Sequence, residues 1–321
     1  YLSGTYFMKI GINGYEAVVP RFGFDEKTGN PRRVGSGEVC FQLLKSFSEL
    51  KSADEFVTFL PGDAKYDLPK VTVTWKYTNI QAKKLWTMFG LSNYFLKHKK
   101  QIDVFFSPTH YLPFYIPCPS VISILDVSYK YFPELFNKKD LYQLKLWGSY
   151  SVKRAAAIIT ISESSKNDII KEYKVAPSKV HVVSVGIKEF GNPKFKSMEE
   201  LAKKYQIKSP YILFVGTLQP RKNIAKLIEA FSLIVNGPHS SPLPKGEGNE
   251  LELVIIGKKG WMFDEILAAP EKHNVADRVK FLDYVTDEDL PSFYKHAELY
   301  VLPSLYEGFG LVPLEALSLA T

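Results

Sequence analysis

Two glutamates stand eight positions apart near the end of this sequence, at Glu307 and Glu315. An apolar run at 299–302 predicts a strand, and the stretch that follows predicts a helix beginning near Gly310. The first carboxylate therefore lies on a loop and the second within the helix, whose N-terminus offers free backbone N–H groups. Carboxylates that accept from hydroxyls, beside amides that attract anions, suit a ligand that is both sugar and phosphate. An ordinary strand–turn–helix with solvated acids would show the same spacing.

Two adjacent cations, Arg221 and Lys222, follow a buried apolar run at 211–215 that ends at Gly216. A helix is predicted to begin directly after them, at 223–235. In open α/β sheets ligands bind at the carboxyl ends of the strands, so both cations are expected at such an edge. Arginine offers a fork of donors and lysine a compact charge, and together they can hold a diphosphate. A solvated basic turn is the alternative for either cation taken alone.

The stretch around the two glutamates resembles the Glu-x7-Glu motif of the retaining family 4 glycosyltransferases, which have the GT-B fold. The upstream strand, glycine turn and Pro-Arg-Lys-Asn resemble the segment that opens the C-terminal domain of that family. The resemblance implies an α/β protein with two Rossmann-like domains facing across a cleft. Because relatives continue past the end of this sequence, it also implies a truncation at the C-terminus, which leaves the second domain incomplete.

The resemblance assigns a role to each residue of the C-terminal motifs. Glu315 is expected to bind the ribose hydroxyls of the donor, and Glu307 is expected to contact the transferred sugar. Lys222, together with Arg221, is expected to hold the diphosphate. The backbone amides that accompany the first glutamate in the family match three positions here: Phe309, Gly310 and Leu311.

Three further positions are implied to contact the donor. Gly35 and Gly37 resemble the N-terminal glycine loop that approaches the diphosphate, although a simple helix-start turn would also explain them. Val285 falls where the family packs the base of the nucleotide, and a residue of a core strand is the alternative for it.

The sequence departs from the family pattern at two positions. Thr217 stands where many relatives carry arginine in the donor loop, which leaves the phosphate to the two cations named above. Leu125 stands where many relatives have the histidine that lies beside the reacting sugar, while Asp126 keeps its family position. His110 also follows a predicted strand and is the candidate to replace that histidine. A satisfied structural histidine is the alternative.

The implied activity is transfer of a hexosyl group, mannosyl or similar, from a nucleotide-diphosphate sugar to a saccharide or lipid-linked saccharide acceptor. The implied chemistry retains the anomeric configuration and needs neither a metal nor a cofactor, because cations and amides stabilise the leaving diphosphate. A catalytically silent nucleotide-sugar-binding subunit stays open, as does another GT-B activity such as a glucan or sucrose-type synthase. A dinucleotide oxidoreductase is disfavoured, since no Gly-x-Gly-x-x-Gly follows the first predicted strand.

The length of 321 residues suits two domains, and 45% hydrophobic residues are typical of a globular protein. The two cysteines, Cys40 and Cys118, form no metal-binding spacing and no disulfide framework, which favours a reducing cytoplasm. The formal charge of +7 suits anionic partners such as nucleotide diphosphates, an acidic membrane face or nucleic acid. Charge does not choose among these, and the resemblance favours a nucleotide sugar with no nucleic acid.

Apolar runs that read as strands alternate with helical patterns along the sequence, which predicts parallel sheets covered on both faces. One such helix is predicted at 162–173 with Ser162 as its N-cap, and one of the strands at 71–75. The alternation starts afresh near residue 191. We therefore predict an acceptor-side domain at 1–190 and a nucleotide-sugar-binding domain at 191–321.

Lysines alternate with apolar residues at 83–100, and five of the apolar residues fall on one helical face. These are Leu85, Met88, Phe89, Phe95 and Leu96. Such a helix can lie on an anionic membrane, which would place the protein peripherally at the inner face of the membrane, near a lipid-linked acceptor. A stripe that faces the protein core is the alternative.

Overall fold

The computed structural model describes residues 7–21, 23–26, 28–33, 35–65, 67–82, 85–186, 190, 193–236 and 251–319. The protein forms two compact units. The first comprises Tyr1–Val127 and Leu141–Ser184, and the second comprises Ser128–Asp140 and Val185–Thr321. The segment 128–140 therefore belongs to the second unit, although the residues on both sides of it belong to the first. Of residues 187–192, around the predicted domain boundary, only residue 190 is described.

The first unit is built on a seven-stranded sheet in which every neighbouring pair of strands is parallel. In sequence order the strands are β1 (Lys9–Asn13), β2 (Glu55–Leu60), β3 (Trp75–Asn79), β4 (Val104–Ser107), β5 (Ser120–Ser123), β6 (Ala157–Thr160) and β7 (Val180–Val182). Their spatial order is β3-β2-β1-β4-β5-β6-β7, so the order reverses between β1 and β4. Ligands of doubly wound sheets bind at such a reversal, beyond the carboxyl ends of the strands.

Helices and helical turns connect these strands. They are α1 (Tyr15–Val18), α2 (Ser36–Glu49), α3 (Leu91–Lys97), α4 (Ser128–Tyr131), α5 (Lys138–Gln143), α6 (Ser149–Arg154) and α7 (Glu163–Tyr173), with π-helical turns at Trp86–Gly90 and Leu144–Gly148 and 3₁₀ turns at Pro133–Leu135 and Pro177–Lys179. The predicted N-cap of α7 is confirmed, because the Ser162 hydroxyl accepts a hydrogen bond of 3.0 Å from the Ser165 N–H.

The strand predicted at 71–75 is wrong. The alternating Val-Thr-Val-Thr sequence imitates a half-buried strand, yet Val71 and Val73 are 66% and 87% exposed. The Thr72 N–H donates to the Trp75 carbonyl and the Thr72 hydroxyl accepts from the Trp75 N–H, both at 3.0 Å. These two bonds close a turn, so β3 begins only at Trp75.

The apolar stripe predicted at 83–100 divides between the core and the surface. Met88 and Phe95 are 4% and 0% exposed, so they belong to the core. Leu85, Phe89 and Leu96 are 40%, 51% and 50% exposed. The π-helical turn at Trp86–Gly90 turns less per residue than an α-helix, which shifts neighbouring side chains off the predicted face. Within the described ranges, no helix combines the length and the apolar composition that crossing a membrane requires.

The second unit contains a parallel four-stranded sheet of order β10-β9-β8-β11. Its strands are β8 (Tyr211–Val215), β9 (Glu252–Ile256), β10 (Val279–Leu282) and β11 (Leu299–Tyr300). Its helices are α8 (Met198–Tyr205), α9 (Ile224–Asn236), α10 (Asp264–Lys272), α11 (Leu290–His296) and α12 (Leu311–Ser318), with a 3₁₀ turn at Pro220–Lys222. The predicted Rossmann-like alternation of parallel strands and helices is confirmed in both units.

Alternate residues of the second sheet supply two separate cores. Phe214 and Ile255 pack on one face against α9 and α10. Leu213 and Val254 pack on the other face, in the cluster that includes residues of α8, α11 and α12. Because successive side chains of a strand point to opposite faces, both faces of β8 and β9 are apolar. The polar groups that could do chemistry are left at the carboxyl ends of the strands.

Candidate active site

The predicted cations and the first glutamate meet in one cluster of the second unit. The Lys222 Nζ lies 2.5 Å from Glu307 Oε1, and the Arg221 Nη1 lies 3.4 Å from Glu307 Oε2. The side chains of both cations are 12% exposed, and that of Glu307 is 24% exposed. The cluster is thus half-closed, with its charges reachable from solvent.

Neighbouring strands bring this cluster together. The cations follow β8 and the glutamate follows β11, and these strands pair in parallel, so both loops leave the same edge of the sheet. The Leu305 N–H donates to the Arg221 carbonyl at 2.9 Å, and Arg221 Nη1 donates to the Tyr306 carbonyl. Asn223, in the left-handed conformation at φ 58°, ends the 3₁₀ turn and donates from Nδ2 to the Pro303 carbonyl at 3.2 Å.

The electrostatics of the cluster keep Glu307 ionised. Burial alone would raise the pKa of the Glu307 carboxyl, but the charge and hydrogen bond of Lys222, with Arg221 beside it, lower that pKa below its ordinary value. Glu307 is therefore a carboxylate at neutral pH, and it neutralises part of the cationic charge in the ligand-free protein. An anionic ligand that binds the cations must compete with Glu307 for them.

The second glutamate lies in a different environment, among tyrosines. Glu315 Oε2 accepts a hydrogen bond of 3.3 Å from the hydroxyl of Tyr294, a fully buried residue of α11. Burial and then the Glu315 charge raise the pKa of Tyr294, so its phenol stays a donor. Burial and then the charges of Glu307 and Glu315 likewise raise the pKa of Tyr300. Among the described residues, the buried Tyr300 hydroxyl has no hydrogen-bond partner.

The three predicted amide positions surround the start of α12. Gly310 is the N-cap at φ 93°, a backbone conformation that is strained for residues with a side chain, and a glycine has no side chain with which to cap the helix. Leu311 is the first residue of α12, and Phe309 is 40% exposed just before it. The first N–H groups of a helix have no partner within the helix. This arrangement can bind an anion or an electronegative oxygen.

The predicted glycine loop lies in the first unit. Gly35 is the N-cap of α2 at φ 57°, and, its chain neighbours aside, no atom of the described residues lies within 4 Å of the place that a β-carbon would occupy. Gly37 is buried, and a β-carbon there would lie 3.1 Å from the Glu16 carbonyl oxygen. Close packing of α2 on α1 therefore accounts for glycine at 37, and contact of either glycine with a diphosphate stays a prediction.

His110 follows β4, next to the reversal of strand order in the first sheet. Its ring meets the Tyr111 ring edge-on, with centroids 4.3 Å apart. Burial lowers the pKa of His110 to about 4, against the attraction of Asp126 and with the repulsion of Arg21. The imidazole is therefore neutral at pH 7 and acts as a hydrogen-bonding group, not as a cation. Its role near a reacting sugar stays a prediction.

The contacts described for Val285 and for Leu125, which stands where many relatives have histidine, are structural ones. Val285 is 4% exposed and packs in the core cluster that contains Phe293 and Tyr294. The Leu125 carbonyl accepts a hydrogen bond of 3.1 Å from the Ser165 hydroxyl. Among the residues with described positions, no group of three His, Cys, Asp or Glu could hold a metal ion.

Sequence reasoning missed three residues of the site. Asn223 could have been found, because asparagine after a turn tolerates the left-handed conformation and can bond the neighbouring loop. Tyr294 and Tyr300 carry no such signal. Both lie in apolar patterns that predict core positions, and only the three-dimensional structure shows that their hydroxyls lie near the carboxylates.

Two family models match consecutive parts of this protein. The model described as "Glycosyltransferase Family 4" matches residues 35–189, and the one described as "Glycosyl transferases group 1" matches residues 197–321. The chain belongs to the family 4 glycosyltransferases. The resemblance of the Glu-x7-Glu and Pro-Arg-Lys-Asn motifs is thereby confirmed at the level of the family.

Curated relatives of this family 4 glycosyltransferase include mannosyltransferases. The chain is 30% identical to O-antigen chain mannosyltransferase B of Escherichia coli over 217 residues, which cover 67% of this chain and 54% of that protein. It is 32% identical to the serotype-specific mannosyltransferase WbdA of Escherichia coli over 186 residues, which cover 56% of this chain and 21% of that protein. The chain thus spans about half of the first relative and about a fifth of the second.

Solved structures confirm the fold. Sucrose-phosphate synthase from Thermosynechococcus elongatus matches 98% of this family 4 glycosyltransferase, and 80% of its own length is covered, with a TM-score of 0.65 at 15% identity. Anabaena HepE, solved in complex with UDP-glucose, matches 96% of this protein with 78% of its own length covered, a TM-score of 0.63 and 17% identity. These likenesses show the GT-B fold.

Proposed function

We propose that this protein is a retaining glycosyltransferase that moves a hexosyl group from a nucleotide-diphosphate sugar to a saccharide or lipid-linked saccharide. The observation that carries the proposal is the cluster in which Arg221 and Lys222 both contact Glu307 at the edge of the second sheet. Two adjacent cations match a ligand with a diphosphate, the first N–H groups of α12 suit an electronegative oxygen, and a half-buried carboxylate matches a sugar hydroxyl.

The cluster suits the charge that develops during transfer. As the bond between sugar and diphosphate breaks, negative charge grows on the leaving phosphate. In the ligand-free protein Arg221 and Lys222 are held at this edge of the sheet by the Tyr306 carbonyl and by Glu307, and once a diphosphate has displaced the carboxylate their charges face the leaving phosphate. Removal of one such preorganised donor costs about 3 kcal/mol of activation free energy. The proposed reaction needs no metal, because these side chains supply the positive charge.

In this proposal the two glutamates bind the donor, and neither acts as a nucleophile. Glu307, as a carboxylate, accepts from a hydroxyl of the transferred sugar, and Glu315 accepts from the ribose while Tyr294 holds its other oxygen. The backbone amides of Phe309, Gly310 and Leu311 contact the sugar or its phosphate. Val285 packs near the base, and the neutral imidazole of His110 supplies a polar contact to the reacting sugar. Retention of configuration is part of the proposal.

The relatives favour a mannosyl donor and an acceptor of cell-envelope polysaccharide. By their names, one is an O-antigen chain mannosyltransferase, one is a serotype-specific mannosyltransferase, and another acts on a diphospho-undecaprenol-linked saccharide. The GT-B neighbour solved with UDP-glucose shows a nucleotide sugar in the same fold. We therefore propose a hexose donor, with mannose favoured, and an acceptor that is a saccharide chain or its lipid-linked precursor.

With a lipid-linked acceptor, the protein would act at the inner, cytoplasmic face of a membrane. An exposed aromatic group in the first unit supports this part of the proposal: the Phe89 and Phe114 rings lie 5.1 Å apart and the Phe114 and Tyr150 rings 5.3 Å apart. Sedimentation with anionic vesicles should fall for Phe89→Ser and not for Leu233→Ser, which changes an exposed leucine of α9. Equal sedimentation of both variants would contradict membrane contact through this group.

The proposed function is tested by a screen of GDP-mannose, UDP-glucose and ADP-glucose. The assay follows nucleoside diphosphate release with and without saccharide acceptors, for the wild type, Lys222→Ala and Lys226→Ala. Lys226 lies on α9, 67% exposed in a surface ion pair with Glu229, so its loss should leave the rate unchanged. Turnover of one donor that only Lys222→Ala abolishes supports the proposal. Donor binding without turnover would instead indicate a silent nucleotide-sugar-binding subunit.

A further inference from the structure

A segment of the second unit holds two loops of the candidate site through aromatic contacts. We call this segment, Ser128–Asp140, the strap; it belongs to the second unit, although the residues on both sides of it in the sequence belong to the first. The ring of its Tyr131 stacks on that of Tyr306, with centroids 5.7 Å apart and planes 22° apart. Tyr306 immediately precedes Glu307, so the strap contacts the loop that carries the first glutamate.

A second anchor joins the strap to the loop after β9. The Trp261 Nε1 donates to the Leu135 carbonyl at 2.7 Å, and the Trp261 and Phe136 rings lie 5.7 Å apart. The Trp261 loop is itself bonded to the loop that leads to the cations. The Leu218 N–H donates to the Lys258 carbonyl at 2.8 Å, and the Gly260 N–H donates to the Leu218 carbonyl at 2.9 Å. The strap therefore reaches both sides of the cluster.

The Tyr131–Tyr306 stack differs from the ion pairs that Glu307 makes with the two cations. Side-chain contacts of the Glu307 loop with Arg221 and Lys222 depend on cations that the proposed function assigns to the donor diphosphate. When the diphosphate binds, these contacts weaken because the cations turn to the phosphate. The stack joins two uncharged rings, so its attraction does not depend on whether the cations contact Glu307 or a phosphate. It can hold Glu307 in place at the stage when the ion pairs are given up.

We propose that Tyr131 is a positioning residue for Glu307 and acts through Tyr306. This inference rests on the proposed function, since the orientation of Glu307 matters to turnover only if Glu307 contacts the transferred sugar. The strap adds a residue from outside the Glu-x7-Glu and Pro-Arg-Lys-Asn motifs to the donor site. It should affect turnover of a nucleotide sugar, because the sugar contact depends on Glu307, and it should leave binding of the bare nucleoside diphosphate nearly unchanged.

The test compares three variants of the full-length protein. Tyr131→Ala removes the stacked ring, Tyr131→Phe keeps it without the hydroxyl, and Tyr142→Ala makes the same truncation at a tyrosine that is 66% exposed. With whichever of GDP-mannose, UDP-glucose and ADP-glucose the wild type turns over, we expect kcat of Tyr131→Ala to fall about 3- to 10-fold, the equivalent of one aromatic pair. The Kd of GDP or UDP should change by less than about twofold. Tyr131→Phe and Tyr142→Ala should keep the wild-type kcat.

Amide hydrogen exchange gives a readout that needs no turnover. In Tyr131→Ala, amides at 304–310 should exchange faster, while those of α9 keep wild-type protection. A kcat for Tyr131→Ala equal to that of the wild type, or a kcat for Tyr131→Phe as low as that for Tyr131→Ala, would overturn the inference. So would unchanged exchange at 304–310. If the wild type turns over none of the three screened donors, the proposed function fails first, and faster exchange at 304–310 would still show that the stack holds the loop.

Discussion

Replacing Glu307 with glutamine should tighten the binding of a nucleoside diphosphate while it slows turnover. In the ligand-free protein the Glu307 carboxylate forms ion pairs with both cations, with its oxygens 2.5 Å from Lys222 Nζ and 3.4 Å from Arg221 Nη1. A diphosphate must displace the carboxylate from them. Glutamine has the same shape and no charge, so it gives up the cations more readily. The other bonds of the loop, from Leu305 to Arg221 and from Asn223 to Pro303, do not involve the carboxylate and should preserve the fold.

The size of the effect follows from the burial of the pair. The Lys222 and Glu307 side chains are 12% and 24% exposed, so the contact is screened less than a surface ion pair. A hydrogen bond to a charged group contributes about 1.5–3 kcal/mol to stability. A Glu307→Gln side chain keeps part of this as a neutral acceptor, which leaves about 1–2 kcal/mol of competition removed, or about a five- to thirtyfold lower Kd.

Isothermal titration calorimetry with UDP and GDP measures this directly. The matched control is Glu315→Gln, whose carboxylate contacts Tyr294 instead of the cations, and which should weaken nucleoside and nucleoside diphosphate alike. In Glu307→Gln, turnover should fall because the sugar loses its charged acceptor, and the released nucleoside diphosphate should inhibit more strongly. A Kd that stays the same or rises in Glu307→Gln would refute the competition between carboxylate and phosphate.

Three further predictions concern a cation, a histidine and a buried acid. Lys222→Ala should raise the Kd of a nucleoside diphosphate at least about tenfold in calorimetry and leave the Kd of the bare nucleoside unchanged. An equal loss of affinity for both ligands would indicate a folding defect. His110→Ala should lower kcat, and because burial lowers the pKa of His110 to about 4, the wild-type pH–rate profile should show no ionisation near pH 6.5 from this residue; an unchanged rate would remove His110 from the site. Asp289 is fully buried beside Lys196, Lys204 and Tyr205. Asp289→Asn should therefore lower the free energy of unfolding by about 2 kcal/mol, or Tm by about 4–8 °C, in calorimetric melts. Glu288→Gln is the control and should leave Tm unchanged. Burial would raise the pKa of Asp289, but those three partners lower it overall, so its stabilisation is present at neutral pH and is lost as pH falls below about 4; a pH-independent difference between wild type and Asp289→Asn would contradict this.

The C-terminal motifs predicted the local structure on which the charged residues lie. A strand that ends in glycine and runs into Pro-Arg-Lys-Asn is nearly sufficient to place the cations, because the carboxyl end of a parallel strand is a defined place in the fold. The helix predicted to begin near Gly310 begins at Leu311, with the glycine as its N-cap. Opposite charge then accounts for the contact of Glu307 with Lys222, although the sequence does not state that β8 and β11 are neighbours.

What the sequence could not predict depends on long-range packing. Nothing local marks 128–140 as a segment of the second unit, because its contacts with Trp261 and Tyr306 join residues far apart in the sequence. The prediction of a strand at 71–75 was wrong because of local hydrogen bonds, not because of long-range packing. Its β-branched residues fit a strand, but two hydrogen bonds between Thr72 and Trp75 fold them into a turn. The stripe at 85–96 was divided between core and surface by a π-helical turn that periodicity alone does not reveal.

A crystal structure of the protein with UDP or GDP, whichever binds in calorimetry, would decide whether this cluster is the donor site. We expect phosphate oxygens within about 3.2 Å of Lys222 Nζ and of the Arg221 guanidinium, with the ribose hydroxyls on Glu315. We also expect the 2.5 Å contact between Lys222 and Glu307 to lengthen, since the phosphate takes the place of the carboxylate. A nucleotide bound with its phosphates away from both cations, while Glu307 keeps its ion pairs, would contradict the assignment.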